Sequence, residues 1–275
     1  MTLFMTLLVR DEEDVTEANL RFHLESGVDH VIVTDNLSVD ATPEIVQHFV
    51  EQGVATLIHE SSDNYAQSHW VSRMANIAAS RGAKWVIHCD ADEFWIAPKE
   101  LTLKQFFART LFHNVVVADR HDFVCLEDDG RPFWQRMTYR KRQSLNPAGR
   151  SLPPKVAHRA RQGLVVAQGN HSVKGLRRQR QLLGRAEILH FPLRSRTQYL
   201  RKIENGGRAY ANNQELDEQV GSTWRDQYRE LQTTGSLSFV DNNVVDEREL
   251  LRMLSAGEVV VDERLQHALE TMTRF

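Results

Sequence analysis

The pattern of hydrophobic and polar positions divides the first 120 residues into alternating strands and helices. Apolar runs typical of buried strands occupy residues 4–9, 30–34, 54–59 and 85–89. Between them, apolar side chains recur every three or four positions and predict helices over residues 14–26, 42–52 and 64–80. This alternation predicts an α/β fold, in which a mainly parallel sheet is flanked by helices on both faces.

Local signals mark the ends of the first two helices. Asp14 and Glu17 have the spacing of a capping box, and Gly27 supplies a stop for the first helix. Thr42 is predicted to cap the second helix, with Pro43 in its first turn.

The pattern becomes shorter and less regular after a further predicted helix at residues 101–110. A helix is predicted from Ser195 to the Gly206-Gly207 pair, and the chain from Trp224 onward has a helical pattern with little chemical signal. Short strands or loops on the sheet edge are predicted at residues 115–119, 121–126, 133–139, 164–168 and 188–191. We therefore divide the chain into an α/β part (residues 1–120), a second part (121–210) and a helical C-terminal extension (211–275).

The charge distribution is uneven. The chain has 275 residues and a formal net charge of −3, but residues 131–185 contain 14 Lys or Arg and no Asp or Glu, which leaves −17 on the remainder. We call residues 131–185 the basic segment. It indicates an anionic partner, such as substrate phosphate, a phospholipid surface or nucleic acid. For any short part of it, a solvated basic face is the plainer interpretation.

Hydropathy, cysteine usage and turn chemistry exclude several classes of protein. No apolar run approaches the roughly 20 residues that a membrane span needs, and the acidic start does not resemble a secretory signal peptide. Cys89 and Cys125 lack the spacing of a zinc finger or a disulfide framework, so we expect a cytoplasmic protein in a reducing compartment. The first strand is not followed by a glycine-rich dinucleotide or P-loop pattern.

Polar residues crowd the carboxyl ends of the four predicted strands, where open parallel sheets bind their ligands. The sharpest feature is the pair Asp90 and Asp92, which follows the buried fourth strand. Mg²⁺ and Mn²⁺ are held by few carboxylates, and phosphate oxygens complete their shell. We expect the strand end to hold both carboxylates rigidly for such an ion, with Asp92 exposed. The alternative is that one caps a helix and the other faces solvent.

Several elements together resemble the glycosyltransferases of the GT-A fold, particularly bacterial members of the family 2 type. The motif Asp-Ala-Asp-Glu-Phe at residues 90–94 is similar to their DxDEF element, and residues 35–42 resemble their D-x-x-S-x-D-x-T element. Residues 8–12 resemble the family's first-strand exit, and residues 188–195 with Lys202 resemble a late histidine-containing element. The resemblance implies a GT-A-like, Rossmann-like sheet over residues 1–120, a smaller acceptor subdomain over 121–210 and a helical C-terminus.

The resemblance also implies a site for a nucleotide-sugar donor, either a UDP-sugar or a GDP-sugar. Asp35 would contact the base, and Arg10 and Asp40 would shape the nucleotide pocket. Asp90 and Asp92 would hold Mn²⁺ or Mg²⁺ at the diphosphate, where the cation stabilises the charge of the leaving group.

Some positions carry both a functional and a structural interpretation. His190 is either a third metal ligand or phosphate donor, or a satisfied core histidine, and His171 competes for the same role. Arg73 either contacts the nucleotide or lies on a helix surface. Three aromatic residues could form a stacking platform for an acceptor sugar or pack in the core: Phe133, Trp134 and Tyr139.

Family 2 enzymes generally invert the anomeric centre, which requires a base for the acceptor hydroxyl. In the family that base is usually a carboxylate some way after the DxD motif, and the basic segment departs from this pattern because it has no carboxylate. The leading candidates are Asp122, Glu187 and His171. Four other acids stay open: Asp119, Glu127, Asp128 and Asp129.

These features predict a metal-dependent hexosyltransferase that acts on a glycan or glycolipid acceptor in bacterial surface polysaccharide synthesis. The basic segment would face the donor diphosphate, an anionic acceptor or the inner face of the cell membrane, as a peripheral contact. A non-catalytic carbohydrate- or nucleotide-binding module of the same fold is the alternative. Nucleic-acid binding is not expected, because no RNP, helix-turn-helix or finger signature accompanies the charge.

Overall fold

The computed structural model describes residues 1–64, 66–98, 101–145, 149–213 and 221–272. The helix predicted over residues 64–80 includes residue 65, and the C-terminal extension includes residues 214–220 and 273–275. Those residues lie outside the described part of the chain.

One eight-stranded sheet forms the centre of the protein. Its strands are β1 (Leu3–Val9), β2 (His30–Asp35), β3 (Ala55–His59), β4 (Trp85–Asp90), β5 (Glu93–Ile96), β6 (Val115–Asp122), β9 (Lys155–Arg159) and β12 (Gln181–His190). They lie in the order β3-β2-β1-β4-β9-β6-β12-β5. All run in one direction except β9 and β5, which are antiparallel to their neighbours. The predicted α/β class with a mainly parallel sheet is confirmed.

Helices cover both faces of this sheet, because successive strand residues point to opposite sides. In β1, Leu3, Met5 and Leu7 join the core beneath the first helix, whereas Phe4 joins a second cluster beneath the third helix. The helices of the first part are α1 (Glu13–Glu25), α2 (Thr42–Glu51), α3 (Gln67–Ser80) and α4 (Leu103–Arg109).

The starts of α1 and α2 differ from the predicted caps. Neither helix has a side-chain cap, and Asp14 lies within the first turn of α1, where its carboxylate accepts a hydrogen bond from Arg194. Thr42 is the first residue of α2, and its hydroxyl accepts the N–H of Glu12 at 2.9 Å. Both side chains therefore hold the strand-exit loops together instead of capping their own helices.

Two of the predicted edge runs, residues 115–119 and 188–191, belong to the central sheet itself, in β6 and at the end of β12. β12 pairs in parallel with β6, and β9, which the sequence pattern did not predict, inserts between β4 and β6. Residues 133–139 were expected to form a short strand or a loop, but they begin with the short helix α5 (Phe133–Arg136). Three two-stranded sheets complete this part: β10 (Val165–Val166) with β11 (Val173–Lys174), β7 (Cys125–Leu126) with β13 (Val244–Val245), and β8 (Tyr139–Lys141) with β14 (Val259–Val261).

The C-terminal extension is helical, as predicted, with α7 (Ser222–Thr234), α8 (Ser238–Asn243), α9 (Glu247–Ser255) and α10 (Arg264–Thr271). The helix before it, α6 (Arg196–Asn212), is longer than expected. Gly206 and Gly207 do not stop α6. They lie against the rings of Trp224 and Tyr228 in α7, at positions where a Cβ atom would overlap those side chains. Within the described ranges, no helix is both long and apolar enough to span a membrane.

Candidate functional site

A cavity of about 1010 Å³ lies at the carboxyl ends of β1, β4, β6 and β12. Parallel strands end at one edge of the sheet, and the register of β1 on β4 sets Leu8 beside Asp90. Antiparallel β9 begins at the same edge with Lys155. Helices α6 to α9 form the opposite wall. The cavity therefore lies where the sheet topology predicts a ligand.

Asp90 is held by three side chains at the cavity wall. Its carboxylate accepts hydrogen bonds from Lys155, from Asn170 at 3.0 Å and from Gln67 at 3.2 Å. Lys155 is only 1% exposed, and its Nζ also lies 3.2 Å from Glu93. Burial alone would lower the pKa of Lys155, but Asp90 and Glu93 raise it overall, so this ammonium group stays charged.

Asp92 turns away from Asp90, toward α6. Its Oδ2 accepts a 2.5 Å hydrogen bond from Lys202, and its Oδ1 lies 3.7 Å from Nε2 of His190. Asp92 is 3% exposed, so the expectation of an exposed strand-end carboxylate was wrong. Burial alone would raise the pKa of Asp92, but the positive charges of Lys202 and Arg194 hold it well below its usual range. This carboxylate is therefore ionised and compensated from within the protein.

His190 is oriented by Asp122. The two residues are paired across β6 and β12, and Nδ1 of His190 lies 2.6 Å from Oδ1 of Asp122. With Nδ1–H donating to that carboxylate, the lone pair of Nε2 faces Asp92. Asp122 is fixed in turn, because its N–H donates to Ser144 Oγ at 2.7 Å.

A second buried charge cluster lies beneath Asp92. Arg194 is fully buried and donates to Glu12 and, at 2.7 and 2.9 Å, to Asp14. Lys202 lies 3.9 Å from Glu12 and so joins this cluster to Asp92. Burial alone would lower the pKa of Arg194, but Glu12 and Asp14 raise it overall. These ion pairs tie α6 and the segment before it to the exit of β1.

Two of the predicted nucleotide contacts lie at the cavity or beside it. Arg10 lines the cavity and forms a 2.6 Å ion pair with Asp63. Asp35 is buried at the end of β2, directly before the lining residue Asn36. Its Oδ1 has no hydrogen-bond partner among the described residues, and this leaves one acceptor free at the end of β2.

The other two predicted contacts lie outside the cavity wall. Asp40 accepts the N–H groups of Thr42 and Glu13 at 3.0 and 3.2 Å, so its carboxylate braces a loop. Arg73 extends from α3 toward Glu60, with Nη2 3.1 Å from Oε2.

The three leading candidates for the base do not all lie at the cavity. Asp122 and His171 line the cavity, whereas Glu187 does not. Glu187 is three residues before His190 on β12, so it points to the other face, where it pairs with Arg264 at 2.9 Å. Burial and the charge of Lys155 lower the pKa of His171 to about 4, which makes it a weak base.

The predicted aromatic platform is also not at the cavity. Phe133 is buried against Phe94 and Phe191, and Trp134 and Tyr139 pack against core clusters. Other aromatic residues line the cavity: Phe123, Tyr199, Tyr210, Trp224 and Phe239. Most of them lie on α6 to α8, where the sequence carried little chemical signal.

The side chains predicted to bind a metal ion fit a divalent cation only in part. The part of the chain that the structure describes has no group of three or more His, Cys, Asp or Glu side chains that could hold a metal ion. The predicted trio does not converge, since Asp90 faces Lys155 while Asp92 faces His190. The pair Asp92 and His190 does fit, because metal-bound histidines usually donate their other N–H to a carboxylate. Mg²⁺ commonly takes one or two carboxylates and completes its shell with substrate phosphate.

Comparisons with known proteins give weak likenesses. No protein-family model matches the chain, and no curated relative matches it. The crystal structure of S. aureus TarS 1-349 in complex with UDP is 14% identical, with 85% of this chain and 72% of that chain covered at a TM-score of 0.41. Glucosyl-3-phosphoglycerate synthase from Mycobacterium tuberculosis, in complex with Mn²⁺, UDP and glucosyl-3-phosphoglycerate, is 20% identical, with 43% and 44% covered at 0.32. Both TM-scores are low, so neither likeness identifies a function.

Proposed function

We propose that the protein is a metal-dependent glycosyltransferase of the GT-A type, which moves a hexose from a UDP- or GDP-sugar to a glycan or glycolipid acceptor with inversion. The observation that carries the proposal is the chain of contacts at the cavity in which His190 lies between Asp122 and Asp92. A positioned imidazole nitrogen faces an ionised carboxylate across 3.7 Å, at the strand ends where α/β sheets bind ligands.

Asp92 and His190 would hold Mn²⁺ or Mg²⁺, which supplies positive charge for the leaving diphosphate when it is bound. Cationic side chains of the protein would stabilise the same leaving diphosphate. Lys202, Lys155 and Arg10 all line the cavity, and such fixed positive groups stabilise phosphate oxygens without reorganising. Asp35, with its free Oδ1, would accept a hydrogen bond from the base of the nucleotide.

Asp122 is the carboxylate that we propose as the base. It lines the cavity, and only its Oδ1 is engaged by His190. Its Oδ2 has no hydrogen-bond partner in the described ranges and could take the proton of an acceptor hydroxyl. Among the leading candidates, Glu187 faces elsewhere and His171 is too weakly basic.

The acceptor would enter along the wall that α8 and α9 provide. Phe239, Asn242 and Glu249 line this side of the cavity and offer one apolar face with polar groups beside it, as sugar rings require. We propose that the reaction serves bacterial surface polysaccharide synthesis, in the cytoplasm and with a peripheral contact at the inner face of the membrane.

Turnover of a donor tests the proposal. The protein is incubated with UDP- and GDP-hexoses plus Mn²⁺, and release of nucleoside diphosphate is followed. We expect hydrolysis or transfer that EDTA stops and that Asp122→Asn lowers at least tenfold. Asp119→Asn, an exposed acid on the same strand, is the matched control. Donor binding without any turnover would instead identify the non-catalytic module, and no binding at all would refute both.

A further inference from the structure

A second charged surface lies at the opposite end of β6 and β12 from the cavity. Its concave part is lined by Arg161, Arg177, Arg178 and Arg180, together with Asn114 and Leu176. All four arginines are exposed, and none has a carboxylate within ion-pair distance among the residues that the structure describes. We call these four arginines, with the loop at residues 111–114, the arginine surface.

The arginine surface is held in place by hydrogen bonds between side chains and the backbone. Asn114 Nδ2 donates to the carbonyl of Arg178 at 2.7 Å, and the N–H of Arg180 donates to Asn114 Oδ1 at 2.7 Å. Arg159 fixes the same loop from the other side, because its guanidinium donates to the carbonyl of Thr110 at 2.7 Å. The loop and the arginine-bearing segment therefore form one preformed surface.

Two large apolar side chains project from this loop. Leu111 is 67% exposed and Phe112 is 77% exposed. They are adjacent in sequence and lie three and two residues before Asn114. Single exposed apolar residues are common, but a neighbouring pair beside unpaired arginines indicates a partner that is apolar and anionic at once.

The segments that build the arginine surface contain no acid. Residues 101–118 and 131–186 have no Asp or Glu, and so these segments themselves do not repel anionic groups. An anionic bilayer matches both features, because its phosphate head groups lie directly above an apolar phase. The backbone of a nucleic acid duplex offers phosphates but no apolar layer for Leu111 and Phe112.

We propose that the arginine surface docks the protein on an anionic phospholipid bilayer. The four arginines contact the phosphate head groups, and Leu111 and Phe112 enter the boundary between head groups and acyl chains. The strands β6 and β12 run from this surface to the cavity, so docking leaves the cavity open. The inference rests on the peripheral membrane contact of the proposed function and assigns a surface to it, but it does not depend on the proposed transfer reaction.

Co-sedimentation of the full chain with vesicles tests this inference. We expect binding to vesicles of phosphatidylcholine with phosphatidylglycerol, little binding to phosphatidylcholine alone, and loss of binding as salt rises from about 0.05 to 0.5 M. Each arginine contributes roughly fivefold to binding, so Arg177→Gln with Arg178→Gln should weaken it by about 25-fold. Phe112→Ser should weaken binding to the anionic vesicles without changing its dependence on salt.

A matched control combines Arg248→Gln with Leu251→Ser on α9, which removes one exposed arginine and one exposed apolar residue elsewhere. This control should bind like the wild type. Equal loss in the control, equal binding to neutral vesicles, or binding to RNA or an acidic polypeptide but not to anionic vesicles would overturn the inference. Donor hydrolysis, measured in parallel, should be unchanged in every variant. If the wild type binds vesicles but turns over no donor, the proposed function fails and this inference remains.

Discussion

Lys202 of α6 donates a 2.5 Å hydrogen bond to Asp92, the carboxylate that the sequence motif singles out for a metal ion. Lys155 does the same for Asp90 from β9. Each acid of the motif therefore has its own ammonium partner, buried in the case of Lys155 and partly buried in the case of Lys202, and the two acids face different sides of the cavity. A divalent cation at Asp92 would bind through Oδ1, the oxygen that faces His190, while Oδ2 stays with Lys202.

Replacing Lys202 tests this charge balance. Lys202→Met leaves Asp92 and Glu12 without their shared cation, so we expect a loss of roughly 3 kcal/mol in the free energy of unfolding. The same variant should bind Mn²⁺ more tightly in the absence of nucleotide, because Asp92 is no longer compensated. Denaturant unfolding and calorimetric Mn²⁺ titration check the two effects, and Lys202→Arg should restore most of the stability. Unchanged Mn²⁺ affinity would show that Lys202 does not influence the cation site.

Asp122 should influence metal affinity through His190 without touching the ion. Partners of this kind typically contribute 10- to 100-fold to metal affinity, so we expect Asp122→Asn to weaken Mn²⁺-dependent nucleotide binding within about that range. Isothermal titration of UDP at fixed Mn²⁺ measures the effect. Asp119→Asn should not change it. Identical affinities in the two variants would show that the 2.6 Å contact to His190 serves only packing.

Stability should fall in mild acid because of buried neutral histidines. His23 donates from Nδ1 to the carbonyl of Asn19 at 2.8 Å and accepts the N–H of Trp95 at Nε2. Burial lowers the pKa of His23 from 6.5 to about 4, so below pH 6.5 the unfolded chain binds a proton that the folded chain does not. This histidine alone should reduce stability by roughly 3 kcal/mol between neutral pH and about pH 4.

Urea unfolding at several pH values measures that dependence. The pKa values of His88 and His158 are also lowered by burial, so they add to the slope in the same direction. His23→Gln should flatten the profile relative to the wild type, even where it lowers stability at neutral pH. A profile of unchanged slope would contradict the role of His23.

Replacing Gly207 by alanine should lower the stability of the protein, because the space beside Gly207 is filled by another helix. In an exposed helix Gly→Ala stabilises by about 1 kcal/mol, but here a Cβ atom would overlap Tyr228 of α7. We expect Gly207→Ala to destabilise by about 1 to 3 kcal/mol. Glu204→Ala, on the exposed side of α6, should be nearly neutral. A stabilised Gly207→Ala variant would mean that α7 does not pack against this turn.

The sequence was informative wherever structure follows from local pattern. Strands β1 to β4 and helices α1 to α3 were predicted because each carries its own apolar period and lies next to its partner in the chain. The position of β9 between β4 and β6 could not be predicted, since strand order is set by long-range packing. Gly206 and Gly207 were misinterpreted for a similar reason, because their neighbours Trp224 and Tyr228 belong to another helix.

In the candidate site, too, the residues marked by local sequence patterns could be predicted and those placed by long-range packing could not. Asp90, Asp92, Asp122 and His190, which line the cavity, could be named as candidates because the motif and the strand ends are visible in the chain. Lys202 was noted only as part of the late histidine-containing element, without a role, and Lys155 was not singled out, since a lysine opening a strand or lying in a helix normally faces solvent. The one available signal for Lys155 was its position directly before the apolar residues of a short strand. The wall from α8 and α9 comes from a segment without any motif.

Nucleotide titration with and without metal tests the central claim most directly. UDP and GDP are titrated calorimetrically into the wild type and into His190→Gln, first with Mn²⁺ and then with EDTA, and folding of both proteins is checked by circular dichroism. The account predicts that one nucleotide binds with Mn²⁺, that EDTA abolishes this binding, and that His190→Gln weakens it at least tenfold. Equal nucleotide affinity in Mn²⁺ and EDTA, or wild-type affinity in a folded His190→Gln protein, would contradict the assignment of Asp92 and His190 as the cation site.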